Sequence, residues 1–283
     1  MRCSAVNYYT NTIRTHTHVA PPRLACCGNH LQGFDKGVFG GNFHTHNSLH
    51  TPPGVDVLCF SNGHDYVRGW RNAIRQAEAG RMVMLVDSTN LLNQRHLEEG
   101  SRDNAWLTHY PVVGAEGCED LEFDDVILYG AIGDGGADDG ASMVPGRTVV
   151  TAKGDTSALA VEEEGSCCIV TYGNGVPTAL LAQRELAESH GLHNVSVVDC
   201  PMLSGVPEGL RRALSGRFDR VVFADVCKEV GAPLASTACT MQNQGDLPAQ
   251  WQCIGAPNTY NPLGRLHTFL STDDIVTACK SIH

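Results

Sequence analysis

The sequence predicts an α/β protein in which short buried strands alternate with amphipathic helices. Compact apolar runs such as VDVLCF (residues 55–60) are repeatedly followed by stretches whose apolar residues have helical spacing. Thirty glycines among 283 residues suit the tight connections between strands and helices of such a fold. A hydrophobic content of 42% is sufficient to fill a sizeable core.

Composition also argues against several classes of protein. A formal net charge of −11 disfavours general binding to nucleic acids or anionic membranes. There is no apolar stretch of about 18 residues, so no membrane span is predicted. Twelve cysteines are present without a C-x-x-C motif, and several, including Cys59, Cys167 and Cys200, lie in apolar runs. We therefore predict reduced core thiols of an intracellular protein.

The first domain is predicted after an irregular head. Residues 1–39 contain scattered arginines and no secretory apolar region, which fits either a targeting peptide or a disordered extension. Residues 40–97 contain the strand at 55–60, a helix over 65–79 and a strand at 82–86. Tight turns between them predict one βαβ unit with parallel strands and a right-handed crossover.

The predicted helix at 65–79 has an apolar stripe and clear ends. The turn SNG supplies an N-cap and Gly80 follows the helix. The residues expected to face the sheet are Val67, Trp70, Ala73, Ile74 and Ala77.

Residues 98–165 are predicted to form an acidic, glycine-rich linker. Segments such as EGCEDLEFDD and GDGGADDGAS are typical of exposed chain. Two short apolar pieces within it, VILYGAI and RTVVTA, are candidates for edge strands.

Residues 166–283 are predicted to form a second α/β domain, in which four strands alternate with four helices. Its first helix begins near Pro177, ends before Gly191 and has an inner stripe of Ala179, Ala182 and Leu186. Its last helix, in STDDIVTACKSIH, starts with an acidic first turn.

The stretch GGNFHTHNSLHTPPG (residues 40–54) places His44, His46 and His50 close together. The spacing admits a metal cluster, a catalytic histidine with bystanders or a polar loop. No cysteine or carboxylate within the loop offers a fourth ligand, so no metal is predicted there.

Two glycine motifs are candidates for cofactor sites. Asp134 lies in a Gly-Asp-Gly triplet that begins a magnesium and thiamine diphosphate signature, but the next asparagine is the lone Asn174, which favours a solvated acidic loop. The turn YGNG (residues 172–175) lacks the third glycine of a dinucleotide fingerprint, which favours a plain turn.

The order of the segments resembles the transketolase superfamily of thiamine-diphosphate enzymes. PPGVDVLCFSNGHDYVRGW and the helix and strand that follow are similar to the back half of its pyrimidine-binding domain. TYGNGVPTALLAQ, RVVFAD and TYNPLGRLHTFLSTDDIV are similar to its C-terminal domain. The β subunit, or β half of a fused chain, of the decarboxylating component of 2-oxoacid dehydrogenases is the member it resembles most.

The resemblance implies a partial pyrimidine-binding domain with a parallel sheet, followed by a transketolase-type C-terminal α/β domain. It also implies oxidative decarboxylation of a 2-oxo acid with acyl transfer to a lipoyl group. The implied partners are an α-type decarboxylase subunit, a lipoyl acyltransferase and a second β chain. His46 corresponds to the catalytic loop histidine, with His44 in reserve.

The chain departs from that family in one respect. The glutamate that activates the cofactor lies upstream of the histidine loop in the family, and residues 1–39 contain no glutamate. We therefore expect an N-terminally truncated β part that binds thiamine diphosphate and Mg²⁺ only with an α partner. The start of the chain contains arginines and lacks acidic residues, which is compatible with a transit peptide, so a mitochondrial location is predicted with a cytoplasmic one as the alternative.

Three other functions remain open at this point. The first is a non-catalytic assembly subunit, or a fragment that retains the C-terminal domain. The second is a transketolase-like transferase, and the third is a metalloprotein built on the three histidines. The acidic charge disfavours the transferase, because sugar phosphates call for basic residues.

Overall fold

The computed structural model describes residues 54–88, 91–98, 100–102, 104–132, 146–153, 165–229, 232–257 and 270–282, and the backbone of residues 23–28. These residues form two β-sheets and five helices. The fold is therefore α/β, as predicted.

The first sheet has three parallel strands in the order β1-β3-β2. These are β1 (Arg23–Gly28), β2 (Val55–Leu58) and β3 (Met82–Asp87), and helix α1 (Gly63–Glu78) connects the last two. β2 and β3 pair in parallel, which confirms the predicted βαβ unit. Strand β1 lies within the segment predicted to be an irregular head. The prediction missed this strand because RLACCG is too short an apolar run to indicate one by itself.

The second sheet has six strands in the order β5-β4-β7-β6-β8-β9. Its members are β4 (Val126–Tyr129), β5 (Arg147–Val150), β6 (Cys167–Thr171), β7 (Val195–Asp199), β8 (Arg220–Lys228) and β9 (Gln250–Ala256). Strands β7, β6, β8 and β9 are parallel, whereas β4 is antiparallel to both of its neighbours.

Four helices accompany this sheet: α2 (Gly175–His190), α3 (Glu208–Leu214), α4 (Pro233–Gln244) and α5 (Thr272–Ser281). The predicted stripe of α2 is confirmed, since Ala179, Ala182 and Leu186 are all fully buried. Ser271 caps α5 through a reciprocal capping box with Asp274.

The segment predicted as a linker supplies two strands of the second sheet. β5 occupies the edge, as its sequence suggested, but β4 lies inside the sheet between β5 and β7, with all four residues buried. The acidic residues before β4 alternate with buried Leu121 and Phe123, so average composition concealed an ordered segment. The sheet therefore begins 40 residues before the predicted domain boundary at residue 166, because β4 starts at Val126.

The two sheets are joined by the chain that follows β7. Cys59 N donates to Pro201 O at 2.9 Å, and Leu203 N donates to Val57 O at 2.8 Å. Both hydrophobic clusters of the protein contain residues from both sheets. The βαβ unit and the six-stranded sheet thus share one core.

The cysteines whose side chains the structure describes are free thiols, and most of them are buried. This confirms the prediction of reduced core residues for that part of the chain. No helix among the described residues is long and apolar enough to cross a membrane.

Candidate functional site

The buried face of α1 is polar at its centre. Asp65, Arg68 and Asn72 are almost fully buried, whereas Ile74 is 41% exposed. The predicted apolar stripe is therefore wrong at Ile74, although Ala73 and Ala77 are buried as expected. Burial of charged side chains is costly unless they are paired, so this face requires partners.

The start of α1 holds Asp65 in place. Asn62 is the N-cap, and its Oδ1 accepts from the Asp65 backbone N–H at 2.9 Å. The same side chain donates through Nδ2 to Asp65 Oδ2 at 2.7 Å. One turn later, Gly69 lets the Phe60 ring lie against the helix, since a Cβ at that position would lie 2.0 Å from Phe60 Cζ.

Two arginines from different elements contact the buried carboxylate. Arg68 Nη1 lies 3.2 Å from Asp65 Oδ1, and Arg147 of β5 donates to Asp65 Oδ2. Burial by itself raises the pKa of Asp65, but His64 and the Arg147 guanidinium outweigh burial and lower that pKa to about 2. Asp65 is therefore ionised at neutral pH and ties α1 to the second sheet.

A second buried carboxyl lies nearby, where the two sheets meet. Asp199 ends β7, and its Oδ2 accepts a hydrogen bond from the Ser61 hydroxyl in the turn after β2. Burial raises the pKa of Asp199 to about 8 against the opposing effects of Ser61 and Arg147. This carboxyl is therefore protonated at neutral pH.

These groups form one interface cluster between the sheets, made of Ser61, Asn62, Asp65, Arg68, Tyr129, Arg147 and Asp199. Its charge balance at neutral pH is two guanidinium groups against one ionised carboxylate. Tyr129, on β4, is buried beside Arg147, and burial raises the pKa of its phenol.

A cavity of about 350 Å³ opens beside the interface cluster. Its walls include Asn62, His64, Trp106, Leu107, Tyr129 and Arg147. The Trp106 indole is held by a 3.1 Å hydrogen bond from Nε1 to Ser61 O. His64 Nε2 lies 3.9 Å from Cys118 Sγ.

The sequence predicts His46 as the catalytic histidine, with His44 in reserve. Both lie outside the described residues, as do His50 and Asp134. Within the described residues no group of three or more His, Cys, Asp or Glu side chains is arranged to hold a metal ion. The described residues thus do not by themselves present a ligand set for Mg²⁺.

The YGNG turn is occupied by packing and internal hydrogen bonds. A Cβ at Gly175 would lie 2.2 Å from Thr171 Oγ1 and 2.7 Å from Val226 Cγ1, which explains the glycine without a ligand. Tyr172 donates its phenolic proton to Asp225 Oδ1 at 2.6 Å.

Comparison with known proteins reveals similarity in three dimensions only. No protein-family model matches the sequence, and no curated protein is similar to it. A solved structure described as a split-gene transketolase, an inactive β4 tetramer, aligns with a TM-score of 0.51 at 13% sequence identity. The alignment covers 92% of this chain and 65% of the other chain, so this chain spans less than two thirds of its relative.

The fold is transketolase-like. This agrees with the fold predicted from the order of the segments. The similarity does not single out a 2-oxoacid dehydrogenase β subunit, because the solved structure is a transketolase.

Sequence analysis missed the interface cluster, although one signal was present. Asp65, Arg68 and Asn72 follow a three- and four-residue spacing, which places them on one side of a helix. Arg147 gave no local signal, since its role depends on β5 reaching α1 across the fold.

Proposed function

We propose that this chain is a β-type subunit of a thiamine-diphosphate enzyme that decarboxylates a 2-oxo acid together with an α-type partner. The observation that carries the proposal is the order of the fold, with a parallel βαβ unit followed by a six-stranded sheet, in an arrangement similar to a transketolase β chain. The family-like segments on either side of the Gly-rich region support the narrower 2-oxoacid dehydrogenase assignment.

In this proposal the cofactor lies between the chain and its α partner, with Mg²⁺ and the diphosphate held by the partner. The cofactor supplies the electron sink for decarboxylation. His46 is the proposed proton-handling residue of the β side, with His44 in reserve, and a lipoyl acyltransferase receives the acyl group. A mitochondrial location is proposed with the 2-oxoacid dehydrogenase assignment.

The direct test is reconstitution with an α-type subunit, thiamine diphosphate and Mg²⁺, followed by measurement of CO₂ release from pyruvate and from a branched-chain 2-oxo acid. We expect activity in the wild type and a loss of about 10²-fold or more in His46→Ala, since proton transfer by a positioned histidine typically contributes that factor. His50→Ala is the matched control and should retain activity.

Equal activity of wild type and His46→Ala would contradict the role of His46. A folded wild-type chain that binds the α subunit without any activity would contradict the catalytic proposal.

A second candidate is a non-catalytic assembly subunit. The similar solved structure is a transketolase β chain described as inactive and tetrameric, so a chain of this fold can assemble by itself. Light scattering of the purified chain, alone and with the α subunit, tests this candidate. A stable oligomer that joins the α subunit without cofactor-dependent activity supports it, and a monomer under both conditions contradicts it.

A further inference from the structure

The cavity beside the interface cluster has the size of a small-molecule site. Its volume is about 350 Å³, within the range in which clefts of folded proteins bind ligands. It lies where α1, the chain around Trp106, β4 and β5 meet. The proposed catalytic chemistry makes no use of it.

One side of this cavity carries positive charge. Arg147 lines the cavity and shares the ionised carboxylate of Asp65 with Arg68, while Asp199 is held neutral by burial at neutral pH. Arg68 does not line the cavity and also interacts with Glu119 and Asp125. Arg147 is therefore the charged group of the lining that an anion in the cavity would contact.

Hydrogen-bond donors face the same space. The Arg147 side chain lines the cavity and is 30% exposed. Its guanidinium has five N–H groups and forms hydrogen bonds with Asp65 and Tyr129. His64 also lines the cavity, with its Nδ1 3.6 Å from Asp65 Oδ1. The planar guanidinium is suited to a carboxylate, which it can bind through two parallel hydrogen bonds.

Another part of the cavity wall is apolar. Trp106 is 7% exposed and fixed by its bond to Ser61, and the Leu107 side chain, 61% exposed, borders the opening. An apolar group of a ligand would bury surface against both residues. A fully hydrophilic anion would leave this wall without a partner.

We propose that the cavity binds a small monocarboxylate with an apolar tail, with its carboxylate on Arg147 and its tail against Trp106 and Leu107. The proposed binding requires neither the α subunit nor thiamine diphosphate. Its test is therefore independent of the proposed function.

The larger cavity beside α3, about 490 Å³, is a weaker candidate for an anion. Its Arg211 contacts both Asp246 and Glu208, so its charge is already matched.

The test is isothermal titration calorimetry of the full chain at neutral pH with 4-methylpentanoate and with its neutral amide, 4-methylpentanamide. We expect saturable binding of the acid and binding of the amide that is at least about tenfold weaker, because a hydrogen-bonded ion pair in a partly buried site is lost. Equal binding of acid and amide, or no saturable binding of the acid, overturns the proposal.

Leu107→Asp locates the site without disturbing the interface cluster. The substitution adds a negative charge at the opening on an exposed side chain, so we expect binding of the acid to weaken at least about fivefold at low salt. The matched control is Leu92→Asp, an equally exposed leucine at 68% that does not line the cavity. Equal loss in both variants, or loss in neither, would place the binding elsewhere and overturn the assignment.

Discussion

At the scale of single residues, the interface cluster shows how burial assigns opposite charge states to two neighbouring aspartates. Asp65 is ionised because its partners include a guanidinium, whereas Asp199 is neutral because its burial outweighs the hydrogen bond from the Ser61 hydroxyl. Nothing in the local sequence distinguishes these two aspartates, of which Asp65 lies in a helix and Asp199 at the end of a strand. Their difference depends on distant contacts, so it could not be predicted from local pattern.

Asp199 should make the stability of the protein depend on pH. The folded state holds its proton up to a pKa of about 8, whereas an unfolded aspartate loses it near pH 4, so the folded state binds more protons between these values. The free energy of unfolding should therefore fall as pH rises through this window, by up to about 1.4 kcal/mol per pH unit, and level off above it.

Asp199→Asn keeps a neutral group of the same shape and should flatten the dependence between pH 6 and 8.5, as followed by urea unfolding at a series of pH values. Asp219→Asn is the control, because Asp219 is exposed. An unchanged slope in Asp199→Asn would show that Asp199 is ionised in the folded protein at neutral pH.

At the scale of elements, periodicity and capping predicted the helices and parallel strands but placed the sheet boundary too late. VILYGAI and RTVVTA were recognised as strand candidates because of their apolar residues. The internal position of β4 depends on pairing with β7, more than 60 residues later, which no local pattern contains. The acidic residues around β4 led to the prediction of an exposed linker there.

A glycine fixes the contact between α3 and these two strands. A Cβ at Gly209 would lie 2.4 Å from Asp124 O and 2.6 Å from Val150 O, both backbone atoms that cannot swing aside. Gly209→Ala should therefore lower the free energy of unfolding by about 2 kcal/mol or more.

Gly205→Ala is the matched control, since a Cβ there meets nothing within 4 Å, and it should change stability by less than about 0.5 kcal/mol. Urea unfolding monitored by circular dichroism distinguishes the two. Equal stability of both variants would mean that α3 does not lie this close to β4 and β5.

At the scale of the whole molecule, the sequence predicted two α/β units and the structure places them on one core. Cys59 and Leu203 carry backbone hydrogen bonds across the junction, and the Ser61–Asp199 bond lies between the same two sheets. Each hydrophobic cluster draws on both sheets. Composition shifts along the chain cannot reveal such sharing, because they report local polarity and not packing between distant segments.

The shared core predicts that the two sheets unfold as one cooperative unit. Gly209→Ala acts on the second sheet only, so hydrogen exchange can test whether the first sheet responds. In a single unit, the slowest amides of β3, around the buried Val83 and Leu85, should lose protection by the same factor as those of β6.

That factor is about thirtyfold for a destabilisation of about 2 kcal/mol, measured under conditions in which exchange follows the unfolding equilibrium. Gly205→Ala should leave both sheets unchanged. If β6 loses protection while β3 keeps it, the sheets unfold separately, and the contacts at Cys59, Ser61 and Leu203 are too weak to couple them. A joint loss would mean that the interface cluster and its cavity persist only while both sheets are folded, so a ligand of the cavity would stabilise the whole chain.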